Sequence, residues 1–122
     1  MKAEKIRWLV SITTGIDIVE VKRFRDIPFE EKENFYKKNF DSKEIEYCLK
    51  FKDPYSHFAG KFAVKEAFQK ASRKSIPMIE IHTDHGDLGE PTLNCEKIEC
   101  EKIEISISHE KNYVVATAII IW

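Results

Sequence analysis

The chain has 122 residues, 43% hydrophobic and 34% charged, and a formal net charge of −1 from 20 Lys+Arg against 21 Asp+Glu. One domain with a modest core is expected at this size, and the balanced charge argues against a general nucleic-acid binder. No apolar run approaches a membrane span, and three cysteines (Cys48, Cys95, Cys100) without a framework pattern suit a reduced, cytoplasmic chain. Lys2, Lys5 and Arg7 precede a short apolar stretch. Asp17 and Glu20 soon follow without a small-residue cleavage site, so this region does not read as an export signal. Residues 8–19, WLVSITTGIDIV, are rich in β-branched side chains and read as a strand. Alternation puts Ile12, Ile16 and Ile18 on one face and Gly15 and Asp17 on the other. From Glu20 to about Lys52 the period becomes helical, with an early break at Pro28. Asp41–Ser42 is a plausible N-cap for a second helix, which ends at Asp53-Pro54. A long helix runs from about Tyr55 to Ala71, and Ser75–Pro77 closes it. Met78–His82 reads as a short strand. The segment 82–94 is turn-rich, and Pro91-Thr92-Leu93 opens another short strand. The tail holds two strands joined by a turn at His109–Asn112. Ile103, Ile105 and Ile107 face the core in strict alternation, and Val114 to Trp122 suits a central or interface strand. The order of elements gives an α+β domain spanning 1–122, an antiparallel sheet packed on a long helix and shorter helices.

Four stretches carry side chains capable of chemistry. In TGIDIVEVKRF, 14–24, Gly15 allows a backbone or a ligand to approach closely. Asp17 beside it suits a cation or phosphate site, or is simply solvated. In FAGKFAVKEAFQKA, 58–71, a turn of about 100° per residue places Glu66 between Phe62 and Ala59, where a carboxylate is costly unless its charge is compensated. Lys61 and Lys65 border the same stripe. Glu66 is either the ion-pair partner of a nearby lysine or joins Asp17 around a divalent cation. Two hard oxygen ligands with open positions suit Mg²⁺, which keeps waters and takes phosphate oxygens; Mn²⁺ accepts the same set. In SISHE, 106–110, His109 ends the isoleucine alternation at the rim of the core, and with Ser106 and Ser108 it is either structural or a ligand contact. HTDH, 82–85, with Asp87 beyond it, offers His82, Asp84, His85 and Asp87 to a transition metal, but its turn-like setting favours a polar loop. Cys95 and Cys100 lack a second pair for zinc.

Taken together, GIDIVEVKRF, FAGKFAVKEAFQKA and ISISHEKNY resemble the holo-acyl-carrier-protein synthase family, the small 4′-phosphopantetheinyl transferases. Glu44 to Cys48 after a helix start and Gly89-Glu90-Pro91 in the turn region add to the likeness, which covers nearly the whole chain. The resemblance implies that the arm of coenzyme A moves to a serine of an apo acyl carrier protein, releasing adenosine 3′,5′-bisphosphate. It implies Asp17 and Glu66 as Mg²⁺ ligands, with Glu66, or else Asp17, as the base for the serine, and Lys65 on the phosphates. Lys61 (where relatives usually carry arginine), Lys70, Pro91, Ser108 and His109 are implied as further coenzyme A contacts. Arg23 and Arg25, beside Lys22, resemble a docking helix for an acidic carrier. Short members of the family are homotrimers with active sites between subunits, and VVATAIIIW suits such an interface. The glycines usual after the long helix are replaced by Ser72-Arg73-Lys74-Ser75, and the segment between Leu93 and Ile103 is short and charged.

Two functional classes fit these residues: a Mg²⁺-dependent phosphopantetheinyl transferase, and a non-catalytic coenzyme A or nucleotide-binding module on the same fold. Joint retention of Asp17, Lys65, Glu66 and His109 favours the enzyme.

Overall fold

The structure, a computed structural model, describes residues 11–122. Strand β1 covers Ile12–Glu20, so the part of the expected strand at 8–10 lies outside the described residues. A four-residue helix α1 (Lys22–Arg25), a 3₁₀ turn at Phe29–Glu31 and helix α2 (Glu33–Asn39) follow. Helix α3 (Ser42–Leu49) starts where the sequence places it. The Asp41 carboxylate accepts the Glu44 N–H at 2.8 Å while Glu44 Oε1 accepts the Asp41 N–H at 2.8 Å, a reciprocal capping box. Helix α4 (Pro54–Ser72) opens on Asp53, whose side chain accepts from the Tyr55 N–H, with Pro54 at the first helical position.

Helix α4 ends at Arg73, whose φ of 60° lies in the left-handed region. A glycine normally takes that position because its missing Cβ removes the steric penalty. The replacement noted in the sequence therefore falls on a strained residue.

Past α4 the chain makes a 3₁₀ turn at Met78–Glu80 and then strand β2 at His82–His85. Two expectations are corrected here. Met78–His82 is not a strand, because Pro77 opens a turn and the Met78 carbonyl accepts from Lys65 Nζ instead of a ladder partner. HTDH is not a loop but β2, paired antiparallel with β3 (Pro91–Asn94) in a separate two-stranded sheet. Strands β4 (Lys102–His109) and β5 (Tyr113–Ile121) complete the main sheet in the order β1-β5-β4, antiparallel throughout.

The sheet's inner face packs Val19, Val114, Ala116, Ala118 and Ile120 against α4, which contributes Ala59, Ala63, Ala67 and Ala71. Small residues on both sides bring helix and sheet close. The clearest case is Gly15: a Cβ there would lie 1.9 Å from the Ala67 carbonyl oxygen. Ile103, Ile105 and Ile107 pack partly buried on the same side. At one end, Phe24, Tyr36, Phe40, Phe58 and Phe62 form an aromatic cluster, and Tyr36 donates its hydroxyl hydrogen to the Ile27 carbonyl at 2.7 Å. The outer face of β1 is isoleucine-rich and open: Ile16 and Ile18 are 60% and 62% exposed.

Replacing Arg73 by glycine should raise the unfolding free energy by about 0.5–1 kcal/mol, because the strain of the left-handed conformation is released. Urea titration of the two proteins checks it; no gain would mean that the arginine carries compensating contacts.

Candidate active site

Phe24, just past β1, packs edge-on against Phe62, and Gly15 lies under Ala67 and Ala71. Strand β1 therefore runs antiparallel to α4 along its length. Asp17 lies between these two anchors, level with the turns that carry Glu66 and Lys70. Its side chain is 16% exposed, and Lys70 Nζ donates to Asp17 Oδ1 at 3.2 Å and to the Ile16 carbonyl at 2.9 Å. Glu66 stands one turn before Lys70 on the same helix face, half-buried. No ion pair among the described residues includes Glu66. The structure thus pairs Asp17 with Lys70 between β1 and α4, with Glu66 one helical turn before Lys70. Among the described residues no three His, Cys, Asp or Glu side chains converge on a metal. The donor set is two carboxylates with an exposed ammonium beside them. That arrangement fits a hard ion completed by water and phosphate oxygens, and it does not fit an ion enclosed by protein alone.

Lys65 does not join that edge, and its expected place on the phosphates is corrected. The side chain is fully buried, and its ammonium donates to Glu44 Oε1 at 2.8 Å, the Asn39 carbonyl at 2.7 Å and the Met78 carbonyl at 3.0 Å. All three N–H bonds are taken. Burial pulls its pKa below the usual lysine value, against the opposing pull of the Glu44 carboxylate.

Lys61 looks the other way. At about 100° per residue it stands roughly 140° from Glu66 around α4. It enters a cleft of about 620 Å³ between α3 and the β2–β3 hairpin. Its ammonium donates to Thr83 Oγ1 at 3.1 Å and lies 4.8 Å above the Tyr47 ring, a cation–π distance. His85 stacks on the same Tyr47 ring, 4.3 Å between centroids. Lys43 and Lys50 line the same cleft. Sequence reasoning missed this wall as a site, although Lys43, Tyr47 and Lys50 at i, i+4 and i+7 share one helix face.

His109 closes against α4 at Gly60, where a Cβ would meet its Nε2 at 3.1 Å, and its ring centroid is 6.4 Å from that of His57. His57 in turn stacks on Phe51 at 3.7 Å. Ser108, one residue away, is not brought beside His109: it points to the opposite, open face of the sheet, across from Val115. Pro91 pairs with His85 at the hairpin end of β3.

Arg23 and Arg25 lie on α1, a shorter basic helix than expected. Arg25 is bound to Asp53 at 2.7 Å and Lys22 to Asp26 at 2.6 Å, while the exposed Arg23 guanidinium lies 5.0 Å above Phe62. Burial pushes the Cys48 thiol up to about 12, away from the thiolate.

The fold is a small α+β domain with carboxylates and lysines gathered on two sides of α4. Residues 13–118 match the family model of the 4′-phosphopantetheinyl transferase superfamily. The "Holo-[acyl-carrier-protein] synthase" of Thermodesulfovibrio yellowstonii is 40% identical over 108 residues, covering 87% of this chain and 95% of that protein. That of Syntrophus aciditrophicus is 34% identical over 119 residues, covering 88% and 93%. A Bacillus anthracis holo-(acyl-carrier-protein) synthase, solved in complex with CoA (3′,5′-ADP), superposes with a TM-score of 0.79 at 25% identity, covering 93% of this chain and 98% of that one. The chain belongs to the 4′-phosphopantetheinyl transferase superfamily, on the holo-[acyl-carrier-protein] synthase branch, and it is an enzyme.

The imidazoles around Lys61 make stability depend on pH. Burial, aided by His109 and Lys61 against the opposing pull of Asp53, lowers the pKa of His57 from 6.5, and burial with Lys61 lowers that of His85. Between these lowered values and 6.5 the unfolded chain binds more protons than the folded one, so stability is full above 6.5 and is lost as pH falls through this window. Urea unfolding at a series of pH values should show the loss, and His57→Phe, which keeps the stack on Phe51, should flatten it.

Proposed function

We propose that this protein transfers the 4′-phosphopantetheine arm of coenzyme A to a serine of an apo acyl carrier protein. The observation that carries this reading is the grouping of Asp17, Lys70 and Glu66 along the Gly15 contact between β1 and α4. Asp17 and Glu66 would hold Mg²⁺, with Mn²⁺ accepted by the same oxygens. Bound there, the ion supplies Lewis-acid neutralisation of the coenzyme A diphosphate. Lys70, exposed and beside Asp17, holds the diphosphate oxygens as a point charge. Glu66, or else Asp17, takes the proton from the carrier serine. The serine oxygen forms a bond to the phosphorus that bears the pantetheine arm. The bond from that phosphorus to the adenosine side breaks, and its electron pair leaves with adenosine 3′,5′-bisphosphate. Lys61 meets another phosphate of coenzyme A in the Tyr47–His85 cleft, with His109 and Pro91 bordering the same ligand. Lys65 is reassigned from the phosphates to the scaffold beneath them.

Carrier docking falls to Arg23, whose charge is not neutralised by a neighbouring acid among the described residues. Arg25 contributes less because Asp53 already binds it, and attraction to an acidic carrier speeds encounter more than it deepens affinity. A homotrimer is supported by the open sheet face, since an apolar patch of this kind marks an interaction surface. It is also supported by the site itself: the Lys61 cleft and the Asp17–Glu66 edge look away from each other across α4. A helix with its side chains is about 10–12 Å thick, which suits sites completed by a neighbouring copy and gives Ser108, on the open face, a ligand to reach. Three free thiols suit a cytoplasmic setting, and among the described residues no helix is long and apolar enough to cross a membrane.

Mass spectrometry of an apo carrier protein incubated with coenzyme A, Mg²⁺ and this enzyme should show the gain of one phosphopantetheine arm. Asp17→Asn and Glu66→Gln should each slow that gain by about 10²-fold or more while leaving the fold intact; full activity in the double variant would refute the assignment of both acids. Coenzyme A binding without transfer, tried on several carriers, would overturn the proposed reaction. Light scattering after size exclusion should give a trimer for the wild type and a monomer for Ile16→Glu, which puts a charge on the open face. A trimer that survives the substitution would remove this face from the interface.

A further inference from the structure

The Lys61 ammonium is tethered on its way into the cleft. The residue is 6% exposed and donates to Thr83 Oγ1 at 3.1 Å. The Thr83 hydroxyl donates its own hydrogen to Glu44 Oε2 at 2.5 Å, and the Thr83 N–H donates to the same oxygen at 2.9 Å. Glu44 Oε1, the other carboxylate oxygen, accepts from Lys65 Nζ and from the Asp41 N–H, each at 2.8 Å. A hydroxyl has one hydrogen and two lone pairs. Because the ionised Glu44 takes the hydrogen, a lone pair is left facing Lys61, and the charge at one end of the chain of bonds sets the polarity at the other. Tyr47 supports the ammonium from its ring face, and two N–H bonds remain free of Thr83.

We propose that Thr83 is a positioning residue for arm transfer: held by Glu44, its hydroxyl aims the Lys61 ammonium at a phosphate of coenzyme A. This rests on the function proposed above. A lysine stem is flexible, and ordering it before the ligand arrives removes that cost from binding. Thr83 touches no reacting atom, so its effect belongs in the affinity for coenzyme A and not in the chemical step.

The test is Thr83→Val, which keeps the shape and the N–H bond to Glu44. The Michaelis constant for coenzyme A should rise about five- to tenfold, the loss of one charge-assisted hydrogen bond, while kcat and the constant for the carrier stay within about twofold. Thr83→Ser should restore the wild-type value. In a Lys61→Met background the valine substitution should have no further effect, because the partner it acts through is gone. An unchanged constant in Thr83→Val, or the same rise in both backgrounds, overturns the proposal. Should the valine variant melt below the assay temperature, Thr83→Ala, which adds no bulk, answers the same question. Calorimetric affinity for coenzyme A reads the coupling without turnover. A wild type that binds coenzyme A but transfers no arm defeats the function above while the cycle on affinity still decides Thr83; a wild type that does not bind coenzyme A overturns both.

Discussion

The buried ion pair between Lys65 and Glu44 ties together parts of the chain that share no continuous secondary structure. Glu44 belongs to the cap of α3, Lys65 to the middle of α4, and the remaining bonds reach Asn39 at the end of α2, Met78 in the turn after α4 and Thr83 on β2. Two fully buried charges are costly to desolvate and are tolerated only when paired and hydrogen-bonded. Here each has its full set of partners, and no buried side-chain nitrogen or oxygen among the described residues is left without one. Taking away either partner would strand a charge in the interior. The pair thus specifies one arrangement of α2, α3, α4 and the small sheet, and that arrangement forms the walls of the cleft that Lys61 enters.

A second constraint acts through an absent side chain. Gly15 lets β1 come within contact of the α4 backbone, and nothing larger fits there. Two residues on, the same face of β1 carries Asp17, and on the facing helix Glu66 and Lys70 follow each other by one turn. Lys70 binds Asp17 there. Scaffold and proposed site are therefore not separable along this edge: the small residues that let sheet and helix pack closely also bring Asp17 within reach of Lys70.

The sheet has two faces with different fates. The inner face is filled by α4, while the outer one presents Ile12, Ile16, Ile18 and Ile119. Antiparallel sheets commonly leave one face to water, but that face is then polar. An isoleucine-rich outer face suits a neighbouring copy instead, and the division of cationic and acidic groups between opposite sides of α4 leads to the same reading. Oligomer and active site would then have one cause, a helix that shows half a site on each side.

Much of this was legible in the residue order. Alternating isoleucines marked β1 and β4, Asp41–Ser42 marked the start of α3, and Asp53-Pro54 marked its end before α4. The motifs around Asp17, Glu66 and His109 identify the family from the sequence alone. Such signals are local, because backbone geometry repeats every two or 3.6 residues and caps act within one turn. What the order of residues left open was the partner of each charge and the covering of each face. Lys65 and Lys70 sit five residues apart on one helix with similar neighbours, yet one is sealed in the core and the other lies exposed beside Asp17. Glu44, 21 residues away, decides the first, and Asp17, 53 residues away, decides the second. The cleft of Tyr47, Lys61 and His85 is likewise assembled from three elements. The sequence by itself determined most of the elements and the family, and it nominated the acids that the proposed site uses. Only the tertiary structure decided which lysine is buried, which face of β1 turns inward and where Lys61 points, because burial and pairing depend on contacts between residues far apart along the chain.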